Sequence, residues 1–198
     1  MRPLSRRTKI FFIFLVLIIV GYLSARFGRF SEAVPPDFKE ARSQGAMIAQ
    51  DIVNISNEVN ADLEKVNQYE KEKNMSEALN LTAALLKRSE EVKTRAQDLS
   101  AQLEKMTGAL AEIESPEARA LALESITDRL ALISRLLSYS DYLSNLLTTL
   151  SDRFSGMKDS TDVQKIIGQI NAEVTAINNF NRQAGQAMDR FDEIVRQK

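Results

Sequence analysis

Apolar residues recur along this chain at alternating spacings of three and four, the pattern of helices that each bury one face. Four such stretches follow one another. The first is expected over about residues 37–73, with a seam of Phe38, Ala41, Gly45, Ile48, Ile52, Ile55, Val59, Asp62, Val66 and Tyr69. The second, about 76–114, carries Leu85, Ser89, Val92, Ala96, Leu99, Leu103, Met106, Leu110 and Ile113. The third, about 116–155, has two adjacent rows. One passes through Ile126, Leu130, Ile133 and Leu137, the other through Leu132, Leu136, Tyr139, Leu143, Leu146 and Leu150. The fourth, about 160–197, runs through Val163, Ile167, Ile170, Val174, Ile177, Asn181, Ala184, Met188, Phe191 and Val195. Beside it lies a second row of Ile166, Glu173, Phe180, Ala187 and Ile194.

The punctuation between these stretches agrees with helix chemistry. Asp37 reads as the first N-cap and Asn74-Met75-Ser76 as the first turn. Ser115-Pro116-Glu117 supplies a cap, a proline at the first helical position and an acid in the first turn. Ser155-Gly156 reads as a stop and Asp159-Ser160 as the next cap. A seven-residue repeat implies left-handed, coiled-coil-like packing, and short connections make neighbours antiparallel. Helices of about 38 residues, or about 57 Å, then close as an all-α, up-down-up-down four-helix bundle over residues 37–198. The second rows on helices three and four favour a four-helix core, with an extended coiled-coil dimer as the rival.

A different pattern precedes the bundle. Ile10 to Ala25 contains no charge, and sixteen helical residues span about 24 Å, slightly short of a hydrocarbon core. Arg2, Arg6, Arg7 and Lys9 precede the run, while Arg26 and Arg29 follow it. We read residues 1–9 as a short cytoplasmic basic segment and 10–29 as a transmembrane signal-anchor helix. Residues 30–36 read as a hinge, since the Pro35-Pro36 pair interrupts a continuing helix. The basic flank places the N-terminus in the cytoplasm and the bundle outside. Alternatives are a secretory signal peptide, cleaved near Ala25 or Ala33, and an inverted topology.

Composition narrows the chemistry. The chain has 198 residues with no Cys, His or Trp, seven Gly and four Pro. Disulfides, zinc fingers, thiol nucleophiles, Ser-His-Asp triads and His-ligated haem are therefore excluded. The net charge of −1 is a cancellation. Residues 1–29 carry six bases and no acid, leaving 20 bases against 27 acids for the remainder, a moderately acidic −7. Beyond the membrane flank the charges alternate in sign, as in Glu70-Lys71-Glu72-Lys73, so no nucleic acid partner is expected. No Gly-rich phosphate loop or EF-hand spacing occurs, and neither cofactor nor metal is expected. Three Asn-x-Ser/Thr tripeptides, beginning at Asn54, Asn74 and Asn80, are frequent by chance in such a composition.

The candidate site lies where polar residues break the seam. Counted down from the two distal turns, Asp62, Ser89, Tyr142 and Glu173 fall at one level, roughly 20 Å below the tip. Such a layer could take a small polar ligand or a hard cation inside the bundle. The plainer reading rotates Leu63 inward and Asp62 into water, and pairs Glu173 with a base such as Arg88. Asn181 reads as a register residue. Gly108, Gly168 and Gly185 fall within helices, where close helix approach or a docked partner helix would account for them.

These features point to a single-pass, membrane-anchored, extracytoplasmic interaction or structural module without catalysis: an adaptor, spacer or envelope-complex subunit. Its expected partners are the lipid bilayer through residues 10–25 and either another protein or further copies of itself. The alternative is a sensory or ligand-binding ectodomain that signals through a partner membrane protein. In architecture alone, without a shared motif, the predicted shape resembles the four-helix ligand-binding domains of bacterial receptors.

Overall fold

A computed structural model describes residues 34–157 and 162–197. Among these residues the chain forms four long α-helices and no strand. They are α1 (Pro36–Lys71), α2 (Met75–Gly108), α3 (Pro116–Phe154) and α4 (Val163–Arg196), with a 3-10 turn at Ala109–Glu112 between α2 and α3. Each consecutive pair packs side by side, giving the antiparallel bundle expected from the spacing. The expected membrane segment, its basic flank and most of the expected hinge lie outside the described residues. Within them, no helix is long and apolar enough to cross a membrane.

Most of the core comes from the seams read from the spacing. Every seam residue of α2 from Leu85 to Ile113 is buried, as are Phe38, Ala41, Val59 and Val66 on α1 and Ile170, Val174, Ile177 and Phe191 on α4. At the base, Phe38 and Phe191 are fully buried with ring centroids 5.5 Å apart. Small side chains let helices approach closely. Gly45 is buried against α2, where a Cβ would lie 3.4 Å from Leu99 Cδ1, at ordinary contact distance. Ser125 Oγ donates to the backbone oxygen of Ala184 at 2.9 Å, holding α3 against α4. Gly108 and Gly168 face open space instead, so close approach within this chain does not explain them.

Several boundaries move from their expected places. Pro35, not Asp37, is the first cap; Pro36 takes the first helical position, and Asp37 sits in the first turn near the helix dipole. Val34 and Pro35 are buried, so the hinge expected over 30–36 gives way to the folded unit by residue 34. Helix α2 stops at Gly108 rather than near Glu114, and the tighter 3-10 turn carries Leu110 and Ile113 into the core. Arg119 braces that turn by donating to Ile113 O at 2.7 and 3.2 Å. Asp162 caps α4, accepting from Gln164 N and Lys165 N, where Asp159-Ser160 had been expected. Ser115 caps α3 as read, accepting from Ala118 N.

Both distal turns close by the same double hydrogen bond. After α3, Met157 N donates to Asp152 O and Gly156 N to Arg153 O, with Gly156 at φ 78°. After α1, Asn74 N donates to Tyr69 O and Lys73 N to Glu70 O, with Lys73 at φ 61°.

Candidate functional site: a polar level in the bundle

Four contacts set the register around the bundle. Asp62 on α1 meets Arg88 on α2, Ser89 on α2 meets Ser140 on α3, and Arg135 on α3 meets Glu173 on α4. The circle closes through α1 and α4, where Arg42 forks onto both carboxylate oxygens of Asp192 at 2.7 and 2.9 Å. These contacts do not gather Asp62, Ser89, Tyr142 and Glu173 into one site.

Asp62 belongs to the α1–α2 seam. It is 8% exposed and receives Arg88 at 2.6 Å and Lys65 at 2.7 Å. It therefore stays inward with its charge compensated, rather than rotating into water. Glu173 lies on the opposite seam, between α3 and α4, with Arg135 at 3.6 Å rather than Arg88. The two carboxylates thus answer to different helix pairs and form no cation cage together. Among the described residues, no three His, Cys, Asp or Glu side chains gather as metal ligands. Tyr142 is half-buried, as is Asn181.

Ser89 anchors a third seam. Its hydroxyl lies 2.8 Å from Ser140 Oγ and 3.1 Å from Ser144 Oγ, and Ser140 Oγ donates to Ser89 O at 2.7 Å. This network spans α2 and α3 and is fully buried at Ser89 and Ser140. Ser140 and Ser144 escaped the sequence reading because hydroxyls beside a leucine-rich row look like surface positions. Ser89 alone carried a signal.

The unexpected feature is the fourth seam. Among the described residues, no Cα of α1 comes within 8 Å of one on α4, although every consecutive pair approaches that closely. Asn60 lies 18 residues, or five α-helical turns, beyond Arg42, and so shares the side of α1 that faces α4. Asn178 and Asn171 lie two and three heptads before Asp192, on the row of α4 that faces α1. Counting equal rises from Phe38–Phe191 and Arg42–Asp192 sets Asn60 level with residues 169–174.

This level collects unpartnered polar atoms. Both amide atoms of Asn60, the Tyr139 hydroxyl and Asn171 Oδ1 are shielded from solvent without a hydrogen-bond partner in the chain, and Glu173 Oε2 has only its ion pair with Arg135; Asn178 Oδ1 is a heptad below. Tyr139 is 3% exposed, and burial pushes its hydroxyl up to about 12. An unpaired buried group costs roughly 1–3 kcal/mol, so these atoms call for partners that the chain itself does not supply.

Compared with family models, with curated proteins and with solved structures, the chain matches none.

Proposed function

We propose that this chain is a single-pass, membrane-anchored, extracytoplasmic interaction module: an adaptor, spacer or envelope-complex subunit that acts by contact rather than by catalysis. The observation that carries this reading is the outer face of α3. Leu123 and Leu130 are 49% and 45% exposed, one heptad apart, and Leu137 continues their row at half burial. Leu130, expected inside the core, lies on this outer row instead, because Ile126 and Ile133 occupy the inward positions beside it. Evenly spaced exposed leucines on a long helix are what a protein-contact surface requires. The uncharged run Ile10–Ala25 and its basic flank support anchorage close behind the bundle, since α1 begins only at Pro36.

The absence of native cysteine makes topology easy to test. Full-length Ser76→Cys should react with an impermeant maleimide in intact cells, and Ser5→Cys only after permeabilisation. The reverse pattern would invert the topology, and release by alkaline washing would replace the anchor with a cleaved leader. A photo-crosslinker replacing Leu130 should give a discrete adduct that one replacing the exposed Asp51 does not.

A second reading rests on a different observation, the unpartnered atoms of the α1–α4 seam. There the bundle takes a small, uncharged, hydrogen-bonding molecule at the level of Asn60, Tyr139 and Asn171, and passes the occupancy on through a partner. Short polyols and amides are the probes. A rise in the unfolding midpoint that vanishes in Asn60→Val supports the slot, and no rise with any probe overturns it.

A further inference from the structure

The outer face of α3 carries a second heptad seam of its own. Ala120, Leu123, Thr127, Leu130, Ser134 and Leu137 follow at spacings of three, four, three, four and three. The first five are exposed and Leu137 is half-buried. Leucines occupy one heptad position and small residues the other, so two such faces can approach closely and interdigitate. Thr127 Oγ1 already donates to Leu123 O at 2.9 Å, so covering this face strands no donor there.

We infer that this face binds the same face of a second copy, side by side and parallel, with both copies anchored in one membrane. The inference rests on the reading of α3 as a contact surface and names its occupant. Three observations favour a second copy. First, the seam residues are uncharged, so nothing on them selects a partner of opposite charge. Second, in a parallel pairing the residues that flank such a seam meet five apart across the interface. Arg119 of each copy, which holds Ile113 O through Nε and Nη2 and keeps Nη1 to offer, then meets Glu124 of the other, and both residues are exposed. Glu124 holds Arg190 at 2.9 Å within its own chain and has a second oxygen to offer. Third, a seam of this length covers on the order of 500 Å² per copy, below the roughly 800 Å² of a stable soluble complex. Anchoring raises the effective concentration to about millimolar, at which a small homotypic seam suffices. An antiparallel pairing would send the two N-termini to opposite ends of the bundles and so cannot join copies in one membrane.

Full-length variants in membranes test this. Leu130→Cys should form a disulfide-linked dimer on mild oxidation, as should Thr127→Cys, whereas Glu91→Cys on the exposed side of α2 should not. Leu123→Glu with Leu130→Glu should lower that dimer, read from Thr127→Cys, at least tenfold while leaving the helix content unchanged, because both leucines are half exposed. Efficient cross-linking of Ala120→Cys with a differently tagged Leu137→Cys overturns the parallel arrangement. Absence of a Leu130→Cys dimer, while a photo-crosslinker at Leu130 captures another protein, overturns the second copy and spares the contact surface. Capture of residues 1–33 of the same chain overturns the second copy equally. No adduct of any kind overturns both.

Discussion

The α2–α3 seam and the α1–α4 seam lie on opposite sides of the bundle, and each places polar side chains at the same level with opposite results. Between α2 and α3, Ser89, Ser140 and Ser144 satisfy one another and a backbone carbonyl. Between α1 and α4, Asn60, Asn171 and Asn178 are left with unpaired atoms. Backbone spacing makes the difference. A serine hydroxyl is short, so it finds partners only where helices are close, and its small size is what lets them close. An asparagine amide is larger, holds helices apart and demands up to four partners. The chain also closes the two seams differently. Consecutive helices are linked by at most eight residues of sequence, whereas α1 meets α4 only through packing of segments remote in sequence. The seam without a connecting turn is therefore expected to open first.

What keeps it shut is the base. Phe191 is fully buried against Phe38, and the Arg42–Asp192 fork sits beside them. Phe191→Ala should destabilise the bundle by roughly 3–5 kcal/mol in urea unfolding. Hydrogen exchange should then rise in α1 and α4 ahead of α2 and α3. Equal gains in all four helices would break the comparison, since the base would then support the whole bundle and not one seam.

Tyr139 gives the next largest effect. Its hydroxyl titrates near 10 when unfolded, and burial pushes it up to about 12 in the bundle. The folded state therefore retains a proton that the unfolded chain loses. Stability from this group is complete below pH 10 and falls as pH rises from 10 toward 12, by on the order of 2 kcal/mol. Tyr139→Phe should flatten that alkaline decline. An unchanged slope in the variant would assign the decline to another group.

Much of this was legible in the spacing, and some of it could not be. Helix number, order and seams followed from the three-and-four pattern, because burial of one face is what selects those residues. Ser115-Pro116-Glu117 marked its boundary correctly because cap, proline and acid each act within one turn. Asp37 is not the cap because Pro36, with its fixed φ, starts the helix one residue earlier without any side-chain cap hydrogen bond. For the candidate site, counting turns does not give the faces. A one-position rotation separates the seam facing α2 from that facing α4, so Asp62 and Glu173 looked like neighbours and are not. Asn60, Asn171 and Asn178 carried no signal, since asparagines beside a seam normally face water. Leu130 was placed inward because a helix apolar on two sides has no unique inside.

The two seams also predict opposite signs for similar substitutions. Ser140→Ala removes the donor to Ser89 O and should cost about 1–2 kcal/mol. Asn171→Val removes an atom that has no partner, so in protein free of added ligand it should be neutral or stabilising by up to about 1 kcal/mol. Chemical denaturation of both variants at neutral pH decides the matter. Destabilisation by Asn171→Val would mean that the α1–α4 seam is already satisfied, and the contrast would collapse.

The smallest expected effect comes from the distal turns, which test whether the seams can be treated apart from the hairpins that carry them. The α1–α2 and α3–α4 turns form the same pair of hydrogen bonds, yet one places Gly156 and the other Lys73 in the left-handed region. Glycine adopts that conformation without strain, whereas a residue with a Cβ is held there at a cost of roughly 1 kcal/mol. Lys73→Gly relieves the strain but also loosens the unfolded chain, so a net gain of about 0.5 kcal/mol is expected. Lys73 touches neither seam, and its gain should add to the effects of Ser140→Ala and Asn171→Val without altering either. Interaction energies beyond about 0.5 kcal/mol in the corresponding double variants would show that turn geometry sets the α1–α4 spacing. The unpaired asparagines would then follow from how the α1–α2 hairpin is closed, and not from the size of their own side chains.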